Sequence, residues 1–119
     1  MALTVLLVED DEILRSLTSE AISLLDVIVV DCASADEALF LLEKSPSFDL
    51  VMTDVCMPGS MDGLELARLI WSRWPQLPVI VTSGNRSVPD GDLPCNALFI
   101  QKPWVLDALH HAVKSHLPV

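Results

Sequence analysis

The chain has 119 residues, about half of them apolar, and a formal net charge of −10. That length suits one domain with a real core, and the apolar content argues against disorder. The acidity argues against direct contact with nucleic acid phosphates and is compatible with a divalent cation. No apolar run approaches the roughly 18 residues of a membrane span, and MALTVLLVEDD lacks the basic start of a secretory signal. Cys32, Cys56 and Cys95 are odd in number and lack zinc-ligand spacing. They are read as small apolar residues in a reducing, cytoplasmic setting.

Leu3–Val8 predicts a first strand, ending on Glu9, Asp10 and Asp11. Asp11 caps the helix that follows, with Ile13, Leu14, Leu17, Ala21, Leu24 and Leu25 at helical spacing as its apolar positions. Val27–Val30 is β-branched and too short for a helix, so it reads as the second strand. Ser34 and Glu37 form a capping box at the start of SADEALFLLEKS, a helix ending before Pro46. Asp49–Thr53 is the third strand, stopping on Asp54. After the loop MPGSMDG, Asp62 caps a helix running to about Trp74, with Trp71 and Trp74 as packing residues. Leu77–Thr82 and Ala97–Ile100 are the fourth and fifth strands. Between them, Pro89, Gly91 and Pro94 interrupt residues 85–96, so any fourth helix there is expected to be short or distorted. Pro103 suits a first helical turn, and WVLDALHHAVKSHL completes the chain as a helix. On that helix His110, His111 and His116 are expected to face solvent or a partner.

Strands that are nearly continuous in apolar residues and alternate with helices predict an α/β fold, a doubly wound parallel sheet covered on both faces. Ligands of such sheets bind at the carboxyl ends of the strands, where strand order reverses. Glu9 and Asp10 after strand one, Asp54 after strand three, Ser83 after strand four and Lys102 after strand five fall there. Crowded carboxylates repel one another unless a cation neutralises them, and an all-oxygen set suits Mg²⁺. Lys102 adds a point charge for a phosphoryl oxygen, and Ser83 a neutral hydrogen-bond donor.

LLVEDDE at 6–12, VMTDVCMPGSMDG at 51–63, LPVIVTSG at 77–84 and FIQKPW at 99–104 come in a specific order and spacing. The chain resembles the receiver domain of bacterial two-component response regulators, of the CheY-like superfamily, over residues 1–119. The resemblance implies a flavodoxin-like five-stranded sheet of order 2-1-3-4-5. It implies Asp54 as the phosphoacceptor, taking a phosphoryl group from a histidine kinase or histidine phosphotransfer protein in a Mg²⁺-dependent reaction, with later hydrolysis. Asp10 and Asp54 would ligate the metal directly, Glu9 through a bound water, and Cys56 through its backbone carbonyl. Ser83, Gly84 and Lys102 would bind the phosphoryl group, with Phe99 in the place of a switch aromatic that is often Tyr; the chain has no Tyr. Three further departures stand out. MPGSMDG is one residue longer than the usual receiver loop, and Trp104 stands where Phe is common. The largest is the poor fourth helix at 85–96, because the family often uses that helix, strand five and the last helix as its output face.

Three other readings compete. A non-phosphorylated pseudo-receiver would keep the fold but not the chemistry, against the complete acid, hydroxyl and lysine set. A hydrolase of the haloacid-dehalogenase type would want an acid two residues after Asp54, where Cys56 stands. A nucleotide or flavin carrier would want a Gly-rich loop after strand one, where this chain has VEDDE.

Overall fold

The computed structural model describes residues 3–44, 47–55, 61–83, 97–101 and 106–117. In chain order the elements are β1 (Thr4–Val8), α1 (Glu12–Ser23), β2 (Ile28–Cys32), α2 (Ala35–Lys44) and β3 (Leu50–Asp54). They continue with α3 (Gly63–Arg73), β4 (Val79–Ser83), β5 (Ala97–Gln101) and α4 (Leu106–His116). The five strands form one parallel sheet, as the apolar pattern predicts, in the order β2-β1-β3-β4-β5 that the resemblance implies.

Alternation along the strands sends side chains to two layers. Leu6, Val8, Val51, Val79 and Val81 pack with Ala35, Ala38 and Leu42 of α2 and with Leu64, Leu66, Ala67 and Ile70 of α3. Val5, Leu7, Leu50, Met52 and Ile80 pack on the opposite face with Ile22 of α1 and Leu109, Ala112 and Val113 of α4. The central strands β3 and β4 are buried throughout. Burial on both faces is why their sequences read as continuous apolar runs.

Capping sets three of the helix starts. The Asp11 carboxylate accepts the Leu14 N–H at 3.0 Å. Asp62 accepts from Glu65 N–H at 2.8 Å while the Glu65 carboxylate accepts the Asp62 N–H, a complete capping box. At α2 the expected box is shifted. Ser34 Oγ accepts the Glu37 N–H, but the Glu37 carboxylate reaches back one residue further, to the Ala33 N–H at 2.9 Å.

Three expectations need correction. The second strand extends to Cys32, because Asp31 and Cys32 pair with Leu7 and Val8; at a sheet edge a polar residue can face out without ending the ladder. Ile13, Leu17 and Leu24 do not face the core: they are 74%, 57% and 66% exposed. The buried stripe of α1 is Thr18 and Ile22, flanked by half-buried Leu14, Ala21 and Leu25. His110 is half-buried rather than solvated, and its Nε2–H donates to the Ala21 carbonyl at 2.8 Å, tying α4 to α1. The expected loop after Val55, the segment 85–96 and Pro103–Trp104 fall wholly or mostly outside the described residues.

Candidate functional site

Chain order and strand order disagree at one place in the sheet. From β1 the chain moves to the neighbour on one side, β2, and later to the neighbour on the other, β3. Helices on opposite faces diverge there and leave a crevice at the strand ends. The register fills that crevice with acids. Val8 lies opposite Thr53, so the next residues on the two strands, Glu9 and Asp54, are brought side by side. Glu9 is 4% exposed and Asp54 is 8% exposed, whereas Asp10 faces solvent. One carboxylate oxygen from each of Glu9, Asp10 and Asp54 lies within 4.8 Å of the others.

The main chain beneath these acids is tightly held. The Glu9 N–H donates to the Cys32 carbonyl at 3.1 Å, and the Asp11 N–H donates to Glu9 Oε2 at 3.2 Å. Asp54 pairs with Thr82 of β4, and the Val55 N–H donates to the Thr82 carbonyl at 2.9 Å. Thr53 Oγ1 donates to the Asp54 carbonyl at 3.0 Å. That carbonyl also abuts Gly63 at the start of α3. A Cβ on Gly63 would overlap the Asp54 carbonyl oxygen and come within 2.6 Å of its carbon and 2.9 Å of Thr53 Oγ1. Only a residue without a side chain fits there. The Gly63 N–H donates to the Val55 carbonyl at 2.9 Å, so α3 begins pinned to the end of β3.

Ser83 ends β4, is 1% exposed and pairs with Gln101 of β5, the residue before Lys102. Phe99 is half-buried and packs against the cluster shared with α2 and α3. Cys56, Gly84 and Lys102 lie outside the described residues. Of the expected acids, then, the structure gathers Glu9, Asp10 and Asp54, with Ser83 on the strand next to β3. Gly63 was not anticipated from the sequence, since a glycine after a capping Asp carries no sign of what it will touch. Asp49 was missed too; its carboxylate accepts the Thr4 N–H at 2.8 Å and squares the start of β3 against β1.

The donor set passes a simple chemical test for a metal. Three oxygen ligands, two of them on buried residues, suit a hard divalent cation and offer nothing soft for zinc or copper. Cys32, the nearest described thiol in sequence, does not join the set as a thiolate. Burial pushes its pKa up to about 12, with the Glu37 carboxylate adding to the effect.

Comparison with known proteins places these features in a class. The family model of the response regulator receiver domain matches residues 5–114, and the chain belongs to that family. It is 38% identical to the response regulator protein FleR of Pseudomonas aeruginosa over 98% of this chain and 25% of FleR. It is 33% identical to the response regulator receiver protein CpdR of Brucella abortus, over 95% of each chain. A response regulator receiver protein from Sinorhizobium medicae superposes with a TM-score of 0.89 at 24% identity, covering 97% of this chain and 94% of the other, a likeness of fold. The chain thus spans about a quarter of the length of FleR but nearly all of CpdR. Receiver domains are generally switches rather than enzymes, and no described helix here is long and apolar enough to cross a membrane.

Proposed function

We propose that residues 1–119 form one receiver domain, a cytoplasmic phosphorylation-dependent switch in which Asp54 is the phosphoacceptor. The observation that carries this reading is the cluster of Glu9, Asp10 and Asp54 at the point where strand order reverses. A carboxylate oxygen of Asp54 attacks the phosphorus of a phosphohistidine on a histidine kinase or phosphotransfer protein. The P–N bond breaks, and its electron pair returns to the imidazole. Asp10 and Asp54 would hold Mg²⁺ directly, with Glu9 acting through a metal-bound water and Cys56 through its backbone carbonyl. Bound there, the ion neutralises the acids and the phosphoryl oxygens, which otherwise repel an incoming phosphate. Ser83 and Lys102 hydrogen-bond the transferred group, together with the Gly84 N–H, and Phe99 responds to movement of Ser83. Attack of water on the acyl phosphate later releases phosphate and restores the carboxylate. The added group brings nearly two negative charges and three strong acceptors, enough to bias a two-state surface towards a downstream protein.

Incubation with a small-molecule phosphodonor and Mg²⁺ tests this by intact mass. One phosphoryl group is expected, lost on chelation and lost in Asp54→Asn. Unchanged labelling of Asp54→Asn would overturn the assignment, and no labelling of the native chain would favour an interaction module without phosphorylation.

A further inference from the structure

Arg15 sits in the first turn of α1, where the helix dipole disfavours a cation. Its side chain turns back out of that turn. Nη1 donates to the main-chain carbonyl of Glu9 at 3.0 Å, and Nε lies 4.0 Å from Asp31 Oδ1 on the edge strand β2. The Arg15 side chain is mostly covered, with an exposure of 21%. Together with the bond from Glu9 N–H to the Cys32 carbonyl, this engages both main-chain polar groups of Glu9.

The carbonyl that Arg15 grips has a particular place. It belongs to the peptide plane joining Glu9 to Asp10. Because that plane is rigid, its orientation sets the directions in which both carboxylates leave the main chain. We propose that Arg15 is a positioning residue for cation binding. It fixes the Glu9–Asp10 peptide so that both acids meet Asp54, while Asp31 steadies the guanidinium from β2. The proposal rests on the reading of Glu9, Asp10 and Asp54 as a divalent-cation site, and its test separates the two.

Simple charge and positioning predict opposite signs. Removing a positive charge beside the Glu9–Asp10 peptide should tighten cation binding by Coulomb attraction alone. Losing the grip on the Glu9–Asp10 peptide should weaken it, since partners that orient ligands are typically worth about 10–100-fold in metal affinity. Calorimetric titration with Mg²⁺ at fixed ionic strength, on native protein, Arg15→Ala, Arg15→Lys and Asp54→Asn, reads the sign. Arg15→Ala is expected to bind about 10-fold more weakly. Arg15→Lys, which keeps the charge but not the planar fork, should fall in between. Equal or tighter binding by folded Arg15→Ala would overturn the proposal, even if its melting temperature drops, because a purely structural role lowers stability and leaves affinity alone. Should Arg15→Ala not fold, Arg15→Lys decides: affinity equal to native protein refutes positioning. No heat of Mg²⁺ binding to native protein, or undiminished binding by Asp54→Asn, would instead sink the cation site itself.

Discussion

Strands β2 and β3 are each five residues long and β-branched in part, yet they live differently. Every residue of β3 is buried, whereas β2 buries only Cys32 and leaves Ile28 and Asp31 exposed. β3 has neighbours on both edges and helices on both faces; β2 has β1 alone. The candidate phosphoacceptor stands at the end of a strand that packing holds on every side. The edge strand supplies support instead, through the Cys32 carbonyl and the Asp31 carboxylate. Chemistry that needs a carboxylate held to within a fraction of an ångström belongs where packing leaves no alternative.

Core truncation should expose that contrast most strongly. Leu6→Ala, beside β3 in the fully buried centre, is expected to cost about 2–5 kcal/mol in chemical denaturation. Val29→Ala on β2, only half-buried, should cost nearer about 1 kcal/mol. Equal losses would erase the distinction between centre and edge. Gly63→Ala comes next. The new methyl group must displace either α3 or the Asp54 peptide, at about 1–3 kcal/mol, and phosphoryl labelling of Asp54 should slow by more than the stability loss accounts for.

The edge strand has its own signature in pH. Cys32 has a folded pKa raised from 9.0 to about 12, so its contribution is fully present below pH 9. Above that pH the unfolded thiol ionises while the folded one does not. Stability should therefore fall with rising pH between about 9 and 12, by at most about 1.4 kcal/mol per unit from this group. Cys32→Ala should remove that slope, as read by denaturant midpoints. The smallest effect is expected on the outer surface. Arg73 pairs with Glu43 at 2.8 Å and lies over the Trp74 ring, joining α3 to α2. Arg73→Ala should cost about 0.2–1 kcal/mol, shrinking in high salt, with no change in labelling of Asp54.

Periodicity and length sufficed to read the strands of the sheet and the helices that cover it, because strands buried on both faces leave little doubt about their type. The acids at the strand ends could likewise be read, since an apolar run that stops on carboxylates twice is hard to explain by packing. What could not be read depended on partners distant in sequence. Ile13, Leu17 and Leu24 repeat at helical spacing just as Leu14, Thr18, Ala21, Ile22 and Leu25 do, and only the second stripe turns towards the sheet. A threonine at its centre disguised it. Arg15 carried one faint signal, a cation in the first turn of a helix, which makes sense only once the Glu9 carbonyl is seen beneath it.

The approach of Gly63 to Asp54 has a mechanical meaning. Most strand–helix contacts run through side chains, whose rotamers can absorb a small displacement. Here main chain meets main chain, and two hydrogen bonds bracket the contact: Thr53 Oγ1 to the Asp54 carbonyl, and Gly63 N–H to the Val55 carbonyl. A shift of the Asp54 peptide has no soft element in which to dissipate. The end of β3 and the first turn of α3 therefore form one main-chain joint, so the peptide that carries the acid and the start of the helix have to move together.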